Sequence, residues 1–130
     1  MPFCCHLELR VIRMMMRKFL RSFRFATAGI VTAFKREQNI RFHLIAAIIV
    51  VLAGCLTRIS HVEWFVVILL IAGMLALEMV NSAIERVVDL ATTDFQPLAK
   101  QAKDMAAGAV LVFAVASAII GLLIFLPKWF

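Results

Sequence analysis

From Met105 to Leu126 the chain carries no charged residue. At ~1.5 Å of rise per residue that run makes ~33 Å of helix, enough to cross a bilayer core of ~30 Å. Two other apolar segments are less complete. Phe42 to Thr57 is interrupted only by His43, and Trp64 to Leu77 is too short to span unless its helix carries Glu78 and Asn81 to membrane depth. The pattern predicts an all-α membrane protein with transmembrane helices at 40–57, 63–90 and 99–126. A short turn near Arg58 to Glu63 joins the first two, and a polar link beginning near Arg86 leads to the third.

Ahead of the spans, "RKFLRSFRFATAGIVTAFK" has the period of an amphipathic helix, expected at 17–38. At ~100° per residue Phe19, Phe23, Ile30 and Phe34 fall within ~60° of one another, and Arg17, Arg21, Arg24 and Lys35 gather opposite. Such a helix lies in the membrane interface with its aromatics toward lipid and its bases toward headgroups. It serves as a plain anchor, or it presents its flank, with Lys18 and Phe25, to a neighbouring helix. Residues 1–16 read as a poorly ordered leader, with no apolar run suited to a cleavable signal.

The second span ends in "ALEMVNSAIERVVDL", where Glu78, Asn81, Glu85 and Asp89 interrupt the apolar pattern. Their spacing of three, four and four places them on a strip ~80° wide on one helix face. A charged group at membrane depth costs a few kcal/mol even on insertion scales (~2.5–3.5), so it persists where it faces a bundle interior, pairs with a cation or holds a metal. For Asp89 the simplest place is beyond the membrane edge, paired with Arg86 or Lys103, and Glu85 has the same option. Glu78 has apolar residues on both sides, and a chemical role accounts for it better.

Composition sharpens this picture. In 130 residues, 64% are hydrophobic and the mean hydropathy is +0.98, more than the core of a water-soluble domain of this length requires. Charge sets the orientation. Nine of the 14 Lys and Arg lie between Arg10 and Arg41 and three more in the link (Arg86, Lys100, Lys103), leaving Arg58 and Lys128 on the other side. That bias puts the N-terminus and the link in the cytoplasm and the C-terminus outside, with Trp64 and Trp129 at the outer boundary. The net charge of +6 is a membrane-surface charge, and no soluble basic face exists for nucleic acid. Cys4, Cys5 and His6 have no second pair of metal ligands near them, and Cys55 sits inside a span.

The cytoplasmic boundary then collects Glu37, Glu78, Asn81, Glu85, Lys103 and Asp104. Carboxylates converging from different helices suit a hard cation such as Mg2+, a lysine suits phosphate, and the apolar surroundings suit a lipid. This inventory fits phosphoryl transfer from a soluble nucleotide to a lipid alcohol. The five glycines are scattered, with neither GxxxxGK[ST] nor GxGxxG, so phosphates must be held by metal and side chains.

"ExxNSAIExxxD" at Glu78 to Asp89 and "AKxAKDMAAGAV" at Ala99 to Val110 strongly resemble the small integral-membrane prokaryotic diacylglycerol kinase family. "FKREQNIRFH" at Phe34 to His43 and the closing "GLLIFLPK" bring the resemblance nearest to its Gram-positive branch of undecaprenol kinases, and it covers about Arg17 to Trp129. It implies a single membrane kinase domain at 17–130, assembled as a homotrimer with shared active sites at the cytoplasmic membrane face. By position, Glu78 would be the general base on the lipid hydroxyl, and Asn81 would sit beside the reacting groups. Glu37 and Glu85 would hold Mg2+ on the ATP phosphates. Lys103 and Asp104 would contact the nucleotide, with Asp94 and Gln96 near its adenine or ribose.

The sequence departs from the diacylglycerol-specific branch at Lys18 and Phe25, which stand where that branch has arginine and tyrosine, and at Gln96, which replaces a histidine-bearing loop. Lysine keeps the charge without the bidentate fork, and phenylalanine keeps a stacking face without the hydroxyl. The expected activity is therefore ATP-dependent phosphorylation of a membrane alcohol, undecaprenol before diacylglycerol. The rival from another class is a non-enzymatic, proton-coupled membrane oligomer in which Glu78 relays protons.

Overall fold

A computed structural model describes residues 3–92 and 94–130, with side chains described from Met14 onward. It is all helical: α1 spans Phe3–Arg36, α2 Gln38–Thr57, α3 His61–Ala91 and α4 Pro97–Trp129. The chain divides into two compact units, residues 1–36 and 37–130, where the sequence pointed to a single domain from residue 17. Helix also runs through most of the segment expected as a poorly ordered leader.

In the first unit, α1 carries the aromatic series read from the sequence. The Phe19 and Phe23 rings meet edge to face at 5.0 Å, and the Arg24 guanidinium lies 5.7 Å from the Phe25 ring centre. The helix stops at Arg36. Glu37, expected within it, has extended backbone (φ −97°, ψ 119°) and occupies the position that opens α2.

In the second unit, α2, α3 and α4 are each long and apolar enough to cross a membrane. Their boundaries follow local chemistry. Arg58 closes α2 in the left-handed conformation (φ 52°, ψ 52°), and the Ile59 N–H bonds to the Gly54 carbonyl at 3.2 Å. Ser60 then opens α3 two residues ahead of the expected start through a reciprocal capping box. The Ser60 N–H donates to Glu63 Oε2 at 2.6 Å and the Glu63 N–H to Ser60 Oγ at 3.3 Å. Pro97 starts α4 earlier than expected, because a first-turn proline has its φ already set and gives up no helical bond.

The helix α3 packs against both neighbours, most extensively against α4. Its buried residues are Val67, Met74, Glu78, Asn81 and Ser82, which share one face at helical spacing. On α2 the buried positions Ile40, Ala47 and Gly54 recur every seven residues, the spacing of a helix–helix seam. Two glycines let the helices approach. A Cβ at Gly54 would lie 3.0 Å from the Trp64 ring, and one at Gly73 would lie 2.5 Å from Phe113 Cζ. At the end away from the acids, Lys128 Nζ donates to Glu63 Oε2 at 3.1 Å, so Trp64 and Trp129 lie at the same end of the unit.

The Gly73–Phe113 approach leaves no room for a side chain. Gly73→Val is expected to lower stability in detergent by about 1–3 kcal/mol through overpacking. Phe113→Leu in the same chain should recover part of the loss, read as the midpoint of thermal unfolding.

Candidate active site

The stripe of acids lies on the packed face of α3. Placed on the helix, Val67, Met74, Glu78, Asn81 and Glu85 all fall within ~60° of one another. The same face that is apolar toward one end of the unit turns polar toward the other, so the packing that makes the bundle carries carboxylates inside it. Glu78 is 4% exposed and Asn81 6%.

Three cross-helix pairs tie the polar end together. Deepest, His43 Nε2 on α2 lies 3.2 Å from Glu78 Oε1. Nearer the helix ends, Arg86 Nη2 donates to Glu37 Oε1 at 2.5 Å, and Lys103 Nζ on α4 donates to Asp89 Oδ1 at 2.5 Å. Along α3 the rise from Glu78 to Arg86 is ~12 Å, so the buried acid lies well below the two more exposed pairs. Within α3, Asn81 Nδ2 donates to Glu85 Oε1 at 3.1 Å. Asn81 Oδ1 is buried and accepts no hydrogen bond among the described residues.

Each residue singled out in the sequence can now be placed. Glu37, Glu78, Asn81, Glu85, Lys103 and Asp104 all belong to the unit of α2–α4, at the end where α2 and α4 begin and α3 finishes. Asp89 has the lysine partner anticipated for it. Lys103 is paired with that aspartate and not with Glu85, which lies one turn back along α3. Glu37 and Glu85 are engaged separately in this chain, one by arginine and the other by an amide. Among the described residues no three His, Cys, Asp or Glu side chains are grouped to hold a metal. Asp94 and Gln96 lie exposed between α3 and α4, where the Asp94 N–H donates to Thr92 Oγ1 at 3.1 Å. Lys18 and Phe25 are exposed on α1, in the other unit. The Cys4–Cys5–His6 cluster lies outside the residues whose side chains are described.

His43, Arg86 as the partner of Glu37, and Ser82 (8% exposed) are the participants that spacing did not single out. The one available signal was His43 itself, a titratable ring inside an otherwise apolar span.

Beside this polar end lies an apolar cavity of about 630 Å3 between α2, α3 and α4. His43 stands at its head, Met74 and Ser117 along its wall, and Phe125 and Trp129 toward its far end. A buried carboxylate is thus linked through its histidine partner to a space suited to hydrocarbon, while a second tier of carboxylates lies toward the helix ends. That arrangement has the parts needed to take a proton from a hydroxyl delivered by a lipid.

Known proteins resemble this chain along most of its length. The prokaryotic diacylglycerol kinase family matches residues 24–125. The undecaprenol kinase of Bacillus subtilis is 53% identical over 113 residues, covering 87% of this chain and 92% of its own. A diacylglycerol kinase of Synechocystis is 40% identical across 82% of this chain and 61% of its own. One from Helicobacter pylori J99 is 36% identical across 74% and 75%. The chain belongs to the prokaryotic diacylglycerol kinase family, and it is a lipid kinase.

Proposed function

We propose that this chain is a Mg2+- and ATP-dependent kinase of the bacterial cell membrane that phosphorylates undecaprenol, working as a homotrimer with shared sites. The observation that carries the reading is Glu78, a carboxylate 4% exposed on the packed face of an apolar helix, paired with a histidine that lines an apolar cavity. An isolated buried carboxylate is costly, and a polar role repays its retention only if the group reacts or is paired. The choice of undecaprenol rests on the likeness to the Bacillus subtilis enzyme across nearly its whole length, with diacylglycerol the alternative that the other relatives' names supply.

In this reading the N-terminus and the site face the cytoplasm and the C-terminus lies outside. α1 rests in the membrane interface, and the family resemblance gives its Lys18 and Phe25 a nucleotide-binding role. The lipid hydroxyl sits against Glu78 with Asn81 beside it. Glu78 takes the hydroxyl proton, the alcohol oxygen bonds to the γ-phosphorus, and the bond to the β-phosphate oxygen breaks to release ADP. Lys103 and Asp104 hold the nucleotide, with Asp94 and Gln96 along its adenine or ribose. A buried orphan acceptor on Asn81 and two carboxylates of hard oxygen chemistry fit Mg2+, which would be held by Glu37 and Glu85. When bound it supplies charge neutralisation for the phosphates. Two protein ligands suffice, because Mg2+ keeps waters and phosphate oxygens in its remaining positions. Assembly as a trimer brings ligands from neighbouring copies within reach, and the apolar residues exposed along α4, such as Leu111, Val112 and Leu122, give it surface to bury.

Purified protein in detergent, supplied with radiolabelled ATP and either undecaprenol or diacylglycerol, should move label into the polyprenyl alcohol more efficiently. Label in neither lipid would favour the proton-coupled oligomer. Glu78→Gln is expected to lower turnover by about 10²-fold or more while Mg-ATP still binds, and turnover near the parent rate would remove the base role. Glu37→Gln should raise the Mg2+ concentration needed for half-maximal rate by roughly tenfold or more, and an unchanged Mg2+ titration would assign Glu37 to Arg86 alone.

A further inference from the structure

Glu78 reaches its buried position on a flexible side chain, so burial alone does not fix where its two oxygens point. Within α3 its polar neighbours are otherwise occupied or differently aimed. Asn81 gives its amide to Glu85, one turn further along. The contact made to the Glu78 carboxylate comes from another helix, where His43 Nε2 lies 3.2 Å from Oε1 across 35 positions of sequence. His43 falls on the seam of α2, between the buried Ile40 and Ala47, so packing of that seam holds the ring against α3. The same ring borders the apolar cavity, and its side chain is 29% exposed against 5% for Glu78.

We propose that His43 is the positioning residue for the base: its Nε2–H donates to Glu78 Oε1, fixing the carboxylate so that Oε2 is the oxygen left to take the substrate proton. The ring itself neither gives nor takes the transferred proton. Its place at the head of the cavity puts it beside the path of an incoming hydroxyl, so it defines the side from which Glu78 is reached. This inference rests on the assignment of Glu78 as the base.

The experiment compares three variants in detergent with saturating lipid alcohol. His43→Leu removes the donor and should lower kcat about 10- to 100-fold while the KM for ATP stays within about threefold. His43→Gln carries an amide nitrogen near the place of Nε2 and should recover most of that loss. His43→Asn, whose shorter amide reaches only the place of Nδ1, should stay impaired. Mg-ATP binding checks that each variant is folded, and the Gln–Asn comparison decides the matter even if the leucine variant does not accumulate. An unchanged kcat in His43→Leu, a loss confined to the KM for ATP, or equal rates for Gln and Asn would overturn the role. Full turnover in Glu78→Gln would remove the base and this inference together. A dead Glu78→Gln beside an unaffected His43→Leu would remove the histidine's role alone.

Discussion

Everything at the polar end follows from one constraint: a carboxylate on the packed face of an apolar helix must find a partner within the bundle. Glu78 occupies the same stripe of α3 as Val67 and Met74, so helix packing and acid burial are one event. Water is largely excluded there, and the histidine from α2 answers the charge. Closer to the helix ends the same stripe meets arginine and lysine, where pairs with 24–65% exposed side chains contribute ~1 kcal/mol or less each. The exposed pairs hold register between helices. The buried pair is where removing a single partner is expensive, because it strands a charge.

This gradient explains how a kinase with no glycine-rich loop can be built from helices alone. Loops that cradle phosphate supply backbone N–H groups, whereas inside a membrane-spanning helix each N–H beyond the first turn is already bonded within its own segment. What such helices can offer lies at their ends, in first turns and side chains. The present chain places acids and bases there in alternation, from Glu37 at the start of α2 through Glu85, Arg86 and Asp89 to Lys103 and Asp104 on α4. Directly beyond them α3 turns apolar, so the polar and apolar stretches of the unit meet on that helix.

Much of this was legible in the chain. Uninterrupted apolar runs reveal spans because a bilayer has a fixed thickness, and the acidic strip reveals itself because helical period is a local property. The Asp89–Lys103 pair was foreseeable for the same reason, since both residues flank one link. What escaped depended on contacts between distant positions. Spacing along α2 gives no hint that His43 meets Glu78, nor that Glu37 meets Arg86 at a separation of 49 residues. The start of α3 was missed for a different reason. The serine–glutamate signature "SHVE" at Ser60 to Glu63 is an explicit helix opening, and it lies ahead of the apolar run whose start hydropathy alone reports.

The tie at the far end has a mechanical consequence. Ser60, Glu63 and Lys128 clasp the beginning of α3 to the last turn of α4, which makes that end a fulcrum. Measured from Glu63, Glu78 lies ~22 Å along the helix and Asp89 ~39 Å. Any tilt about the clasp therefore displaces the tip nearly twice as far as the deep acid. Leverage of that kind spares the buried acid from motion and delivers it to the rim, among the more exposed pairs.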